Sequence, residues 1–196
     1  MHALSALTGD LFAPSMLQLV EDAEGGIRYW PRFIDADTAQ VWFECLRANV
    51  AWSSLQRPMY DRIVDVPRLI ASYALDALPG TLPLTDMLER VQAVVPAPYT
   101  HAGMNFYRDG RESVAMHHDK LQSLAVGQPI TLVSLGSTRR MLIHAIGGRR
   151  ETIAIHLEPG SLLRMSYAAQ LTHEHGIPKT RQEQPARISV AFRVRV

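Results

Sequence analysis

From about Met104 onward the sequence predicts a mainly β fold, a jelly roll or barrel, with a helical lead-in packed on one face of the sheet. Three observations predict it. About eight short strand-like segments follow one another, separated by Asp109-Gly110, Gly127, Gly136-Ser137, Gly147-Gly148 and Pro159-Gly160, which is turn chemistry. The last segment alternates strictly, with Arg187, Ser189, Ala191, Arg193 and Arg195 on one face and Ile188, Val190, Phe192, Val194 and Val196 on the other. The region before Pro96 instead spaces its apolar residues twice at the helical period.

In chain order, Met1 to Gly26 reads as irregular, closed by the Glu21–Gly26 turn. Ile27–Ile34 is a strand carrying Tyr29, Trp30 and Phe33. Asp35 is placed to cap a helix, with Asp37 in its positive first turn, and Ala39, Trp42, Phe43, Leu46 and Val50 form its apolar face. Ala51–Leu75 interleaves Trp52, Met59, Tyr60 and Tyr73 with Arg57, Arg62 and Arg68; it is either a base-stacking surface or the underside of a hairpin. Thr85 is expected to cap a second helix through Met87, Leu88, Val91 and Val95, ended by Pro96 and Pro98. The strands expected after it are 104–108, 114–118, 130–136, 141–145, 152–156, 162–166, 173–177 and 186–196.

The 196 residues, 47% hydrophobic and 20% charged, suit one globular domain, divided into an N-terminal helical and substrate-lid part (1–98) and a β core (99–196). A net charge of +1 neither requires nor excludes nucleic acid. One cysteine, Cys45, excludes an internal disulfide framework and suits a reducing cytoplasm; inside an apolar helix it reads as a small buried residue. With no membrane-length run and no signal region, a soluble cytoplasmic monomer is expected.

The chemistry gathers in Asn105–Asp119. In His117-His118-Asp119 an extended backbone sends residues i and i+2 to one side, so an imidazole and a carboxylate converge while His118 points away. They are two thirds of the 2-His-1-carboxylate face that holds Fe(II) in oxygenases. The third ligand must come from a distant segment, and His173-Glu174-His175 offers two histidines on one face. On the last strand Ser189 and Ala191 leave room beside the arginines for a small anion gripped by a guanidinium.

In order and spacing, these blocks resemble the AlkB family of Fe(II)- and 2-oxoglutarate-dependent dioxygenases. The resemblance runs from Tyr29–Ile34 through Val66–Ile70, Asn105-x-Tyr107-Arg-Asp-Gly110, His117-x-Asp119, Ser134–Arg140, Pro159–Leu163 and His175-x-x-Pro-Lys-Thr180 to Arg187–Arg193. It implies a double-stranded β-helix (jelly-roll) core with the N-terminal helices on one face. It also implies Fe(II) bound by His117, Asp119 and His175, the histidine followed by x-x-Pro-Lys. Arg187 would pair with the distal carboxylate of 2-oxoglutarate, Asn105 and Tyr107 would hydrogen-bond this cosubstrate, and Ser189 and Arg193 would line its pocket. With O2, such an enzyme oxidatively demethylates N-alkylated bases of DNA or RNA to succinate, CO2 and formaldehyde.

For an alkylated nucleic acid, the resemblance implies a flipped base stacked between His117 and one of Trp52, Tyr60 or Tyr73, with Arg139, Arg140, Arg149, Arg150 and Arg181 available for phosphates. Two departures bear on this. Lys120, Leu121 and Gln122 stand where acidic residues are usual after the His-x-Asp pair, and Ser189 and Ala191 replace the usual Asn and Thr. The iron and cosubstrate residues are intact, so the departures favour as the alternative the same chemistry on a protein side chain, a tRNA base or a small molecule.

Overall fold

The computed structural model describes residues 15–59, 62–147 and 152–196, and says nothing of the side chains of residues 55–66. Among the described residues, twelve strands form two antiparallel sheets. The major sheet runs in the order β1 (Leu17–Val20), β2 (Ile27–Trp30), β10 (Ser161–Met165), β7 (Ile130–Gly136), β12 (Arg187–Arg193), β5 (His101–Tyr107), β4 (Arg62–Ala74), β3 (Ser53–Met59). The minor sheet runs β6 (Val114–His117), β11 (His173–Ile177), β8 (Arg139–Ala145), β9 (Thr152–Leu157). This is the expected jelly-roll architecture, and the N-terminal half is more than a cover, since it supplies β1 to β4 of the major sheet.

Period-2 alternation divides the apolar residues of the major sheet between two cores. On its outer face Val133, Leu135, Leu162, Ile188, Val190 and Phe192 pack against the helices α1 (Ala36–Asn49) and α2 (Leu84–Val94). On its inner face Ile130, Leu132, Leu163 and Met165 meet Met141, Ile143, Ile155 and Ile177 of the minor sheet. The helices therefore cover one face, as the sequence predicts.

Local chemistry explains the element ends. Asp35 caps α1, accepting from the Thr38 amide and hydroxyl, both at 2.8 Å. Trp42, Phe43 and Leu46 turn inward from it, each burial contributing about 1.5–3 kcal/mol. Thr85 is not the cap of α2; Pro83 is, its φ of −77° already near helical and its carbonyl accepting from Met87 at 3.1 Å. The strand expected to reach Ile34 stops at Trp30, because Pro31 has no N–H to donate. The chain turns there, and the Phe33 and Ile34 amides donate to the Gly160 carbonyl at 3.0 Å. Ala51–Leu75 is the hairpin reading, β3 against β4. Neither β1 nor the six-residue helix α3 (Tyr167–Thr172) was expected from the sequence.

Candidate active site

His117 ends β6 and His175 lies directly opposite it on β11, which brings their ring centroids to 4.5 Å. Asp119 follows just beyond the strand. One ligand atom from each of His117, Asp119 and His175 lies within 4.8 Å of the others. His117 uses Nδ1 on the Ala115 carbonyl at 2.9 Å, so its Nε2 faces Asp119 Oδ1, at 3.9 Å. His175 is buried, and desolvation, then the neighbouring His117, push its pKa down to about 4, so its lone pair is available at neutral pH. His173, the other candidate, hydrogen-bonds Thr172 at 2.9 Å and is outside this group.

Asp119 is held as a carboxylate. Burial raises its pKa, but the Arg193 charge and hydrogen bond outweigh that and the net shift is downward. Arg193 Nε donates to Asp119 Oδ2 at 2.6 Å, which leaves Oδ1 facing the histidines. Arg193 reaches across over Gly103, the β5 partner of Ala191; a Cβ there would lie 3.1 Å from Arg193 Nη1.

The inner face of the major sheet carries a polar row opposite this group. Register places Asn105, Ser189, Ser134 and Ser161 side by side across four strands, with Tyr107, Arg187 and Gly136 in the next row. Arg187 is fully buried. Its Nε donates to Ser134 Oγ at 2.9 Å, while Nη1 and Nη2 have no hydrogen-bond partner. Desolvation pushes its pKa down to about 10. The Tyr107 ring lies 5.3 Å from this guanidinium and 5.5 Å from that of Arg139. Two orphaned N–H-bearing nitrogens on a buried cation fit a carboxylate gripped through paired hydrogen bonds. The donor set of the triad, two imidazoles and one carboxylate on one side, fits Fe(II) with coordination positions left open.

His117, Asp119 and Asn105 line a cleft together with Arg68, Ile70, Ser72, Lys120 and Leu124, among others. Arg68 Nε donates to Asn105 Oδ1 at 2.5 Å. Of this lining, Ile70 and Ser72 were not assigned to the site from the sequence; the signal was β4 alternation, which puts Ile70 opposite Asn105 and Ser72 opposite Gly103.

The same alternation corrects the expected stacking aromatics. Tyr73 pairs with Ala102 and packs on the helix-facing core, as does Trp52, 5.1 Å from Phe106. Both lie on the face of the major sheet turned away from His117. Tyr60, with Arg149 and Arg150, lies outside the described residues. Arg139 is no phosphate contact either: it is buried, donating to the Asp109, Glu112 and Pro178 carbonyls at 2.9–3.0 Å. Arg140 is exposed on the outer face of the minor sheet, where it shares a groove with His156 and Arg181. Among the described residues no helix is long and apolar enough to cross a membrane.

Comparison with known proteins agrees with this geometry. Residues 26–193 match the model of the 2OG-Fe(II) oxygenase superfamily. Alpha-ketoglutarate-dependent dioxygenase alkB homolog 3 of Mus musculus is 27% identical over 183 residues, 84% of this chain and 64% of that protein. DNA oxidative demethylase ALKBH2 of Bos taurus is 28% identical over 147 residues, 65% of this chain and 53% of that protein. The chain thus spans less than two thirds of the length of these relatives. Among solved structures, OsALKBH1 superposes with a TM-score of 0.64 at 16% identity, over 86% of this chain and 96% of that one. A 2OG-Fe(II) oxygenase family oxidoreductase from Burkholderia pseudomallei gives 0.59 at 13%, over 86% and 85%. With the His-Asp-His face and the buried arginine fitting Fe(II) and 2-oxoglutarate, the chain belongs to the 2OG-Fe(II) oxygenase superfamily.

Proposed function

We propose that the protein is an Fe(II)- and 2-oxoglutarate-dependent dioxygenase that oxidatively demethylates N-alkylated bases of DNA or RNA, releasing succinate, CO2 and formaldehyde. The observation that carries this reading is the buried Arg187, two of its nitrogens without partners, one row from Asn105, which lines a cleft with His117 and Asp119. Bound Fe(II), with 2-oxoglutarate and O2, supplies the oxidation of the N-methyl carbon. The chain's own residues do the rest. His117 Nε2, Asp119 Oδ1 and His175 hold the metal. Arg187 pairs with the distal carboxylate of the cosubstrate, and the Asn105 amide and Tyr107 phenol hydrogen-bond it. Ser189 contributes little bulk, leaving space over β12, and Arg193 keeps Asp119 ionised. The relative named as a DNA oxidative demethylase supports a nucleic-acid target.

One observation favours a different target for the same chemistry. The cleft lining includes Arg68, Lys120, Arg193 and Arg195, with Asp119 its single acidic residue among the described residues. A cationic methylated base would meet like charge there, whereas a neutral or anionic target would not. Turnover decides. Protein loaded with Fe(II) and 2-oxoglutarate is aerated with oligonucleotides bearing 1-methyladenine or 3-methylcytosine. Demethylated base and succinate are read by mass spectrometry, with His175→Ala as control. Repair that needs His175 is the expected result; succinate without repair moves the assignment to another target, and neither product overturns both.

A further inference from the structure

The elements around the metal group leave one of its backbone donors to an unexpected partner. Asp119 lies two residues past the end of β6, so no strand ladder pairs its amide, and its side chain is only 12% exposed. A backbone N–H in so buried a place needs an acceptor. It finds Gln170 Oε1 at 2.9 Å, a side chain fifty-one residues away on α3. Gln170 is 2% exposed. Among the described residues its Nε2 reaches only the Met165 sulfur at 3.7 Å, a weak acceptor. A buried amide so poorly satisfied on one side costs stability that an apolar side chain of the same shape would recover. Its other side explains its presence.

Helix α3 is itself fixed at its start. Ser166 Oγ accepts from the Ala169 amide at 2.9 Å and donates to Asp22 Oδ2 at 2.5 Å. Glu24 Oε2 accepts from the Ala168 amide at 2.8 Å, and Asp22 Oδ1 holds the Glu24 and Gly26 amides at 2.8 and 2.7 Å. The β1–β2 turn thus anchors α3, and α3 carries Gln170 to Asp119.

We infer that Gln170 is a positioning residue for the metal centre: by holding the Asp119 amide it sets, together with Arg193 on Oδ2, where Asp119 Oδ1 meets the metal. Neither contact alone fixes the carboxylate. Arg193 restrains one oxygen and leaves the backbone free to turn; Gln170 restrains the backbone and leaves the side chain free. Loss of the amide acceptor therefore acts on metal affinity and geometry through Asp119, without removing any ligand. The inference rests on the triad being the metal site.

The test uses the whole chain with Co(II) as probe under argon. Gln170→Met keeps shape and removes the strong acceptor; Gln170→Glu keeps an acceptor oxygen. For Gln170→Met, the expected Co(II) dissociation constant rises about tenfold, the range seen when partners of metal ligands are removed. The cobalt d–d spectrum changes with it, and the Asp119 amide exchanges its hydrogen faster while the β6 amides do not. The metal-free melting temperature stays within a few degrees of wild type, and Gln170→Glu returns affinity and spectrum toward wild type. Wild-type Co(II) affinity and spectrum in Gln170→Met would overturn the inference. Equal losses in both variants would also overturn it, by showing that packing alone is at stake. Co(II) binding by wild type that His175→Ala does not weaken would instead sink the metal reading, and this inference with it.

Discussion

Replacing Arg187 by Met tests the cosubstrate pocket most directly, because the structure assigns opposite signs to its effects on folding and on binding. The guanidinium is fully buried, and burial pushes its pKa from 12.5 down to about 10. That difference corresponds to about 3 kcal/mol held against the charged form. The sign follows from linkage: between pH 10 and 12.5 the unfolded chain binds the proton and the folded chain does not, so stability rises through that window. At neutral pH the whole penalty is present. Met removes it and also removes the Ser134 hydrogen bond and the Tyr107 ring contact, each about 1 kcal/mol. The metal-free variant is therefore expected to gain about 1 kcal/mol, or a few degrees in melting temperature. Binding moves the other way. A buried carboxylate left without its guanidinium costs about 3–5 kcal/mol, a hundredfold or more in affinity. Calorimetric titration of 2-oxoglutarate into Mn(II)-loaded protein under argon, beside thermal melts without metal, reads both. Affinity within threefold of wild type would refute the pocket assignment. A drop of 10 °C or more in the metal-free melt would instead make Arg187 a structural cation already satisfied by the protein.

Three further outcomes follow from the same geometry. Arg139→Met strips three carbonyls of their donor and is expected to cost about 3 kcal/mol in urea denaturation, whereas Arg140→Ala, on an exposed side chain, changes stability by less than about 0.5 kcal/mol. Gly160→Ala forces a side chain onto a φ of +77° with its Cβ 2.6 Å from the Ile34 carbonyl, so a loss of about 2 kcal/mol or more is expected in the same assay; a loss under 0.5 kcal/mol would show that the turn relaxes freely. For Asp22, burial raises the pKa, but the Ser166 hydroxyl and the Gly26 and Glu24 amides outweigh it and the net value falls below 3.8. Its contribution is present above pH 3.8 and disappears as pH drops through the folded value, so Asp22→Asn should lower the melting temperature at pH 7 and flatten its decline below pH 4.

Much of the site was legible because it is written in period 2. The triad needed only His-x-Asp and a histidine two residues from another, and β12 declared its faces by strict alternation. What alternation leaves open is which face meets which layer. Arg187 was read as a pocket residue and Tyr73 as a stacking candidate, yet only Arg187 faces the minor sheet while Tyr73 faces the helices. That depends on strand order, and β4 joins β5 only through a pairing of distant segments. Arg139 looked like a phosphate contact for the same reason; nothing local says that three carbonyls from two other segments close around it. Helix α3 was missed because six residues are too few to show a 3.6-residue period. The cap of α2 was misplaced because the competing Pro83 acts through its carbonyl rather than a side chain.

The two halves of the proposed chemistry lie on different sheets, and this decides what must fold before the site exists. His117 and His175 are neighbours on β6 and β11, a pairing that the minor sheet makes by itself. Arg187, Asn105 and Ser189 belong to the major sheet. The inner core, with Leu132 and Leu163 against Ile143 and Ile177, sets the separation between them. Arg193 bridges the gap from the end of β12 to Asp119, a cation from one sheet on a ligand from the other. A metal held by the triad thus reports on the minor sheet and its α3 support, while 2-oxoglutarate bound at both ends reports on the packing of the two sheets. Measured on one variant, the two affinities separate damage to the ligands from damage to the core between them.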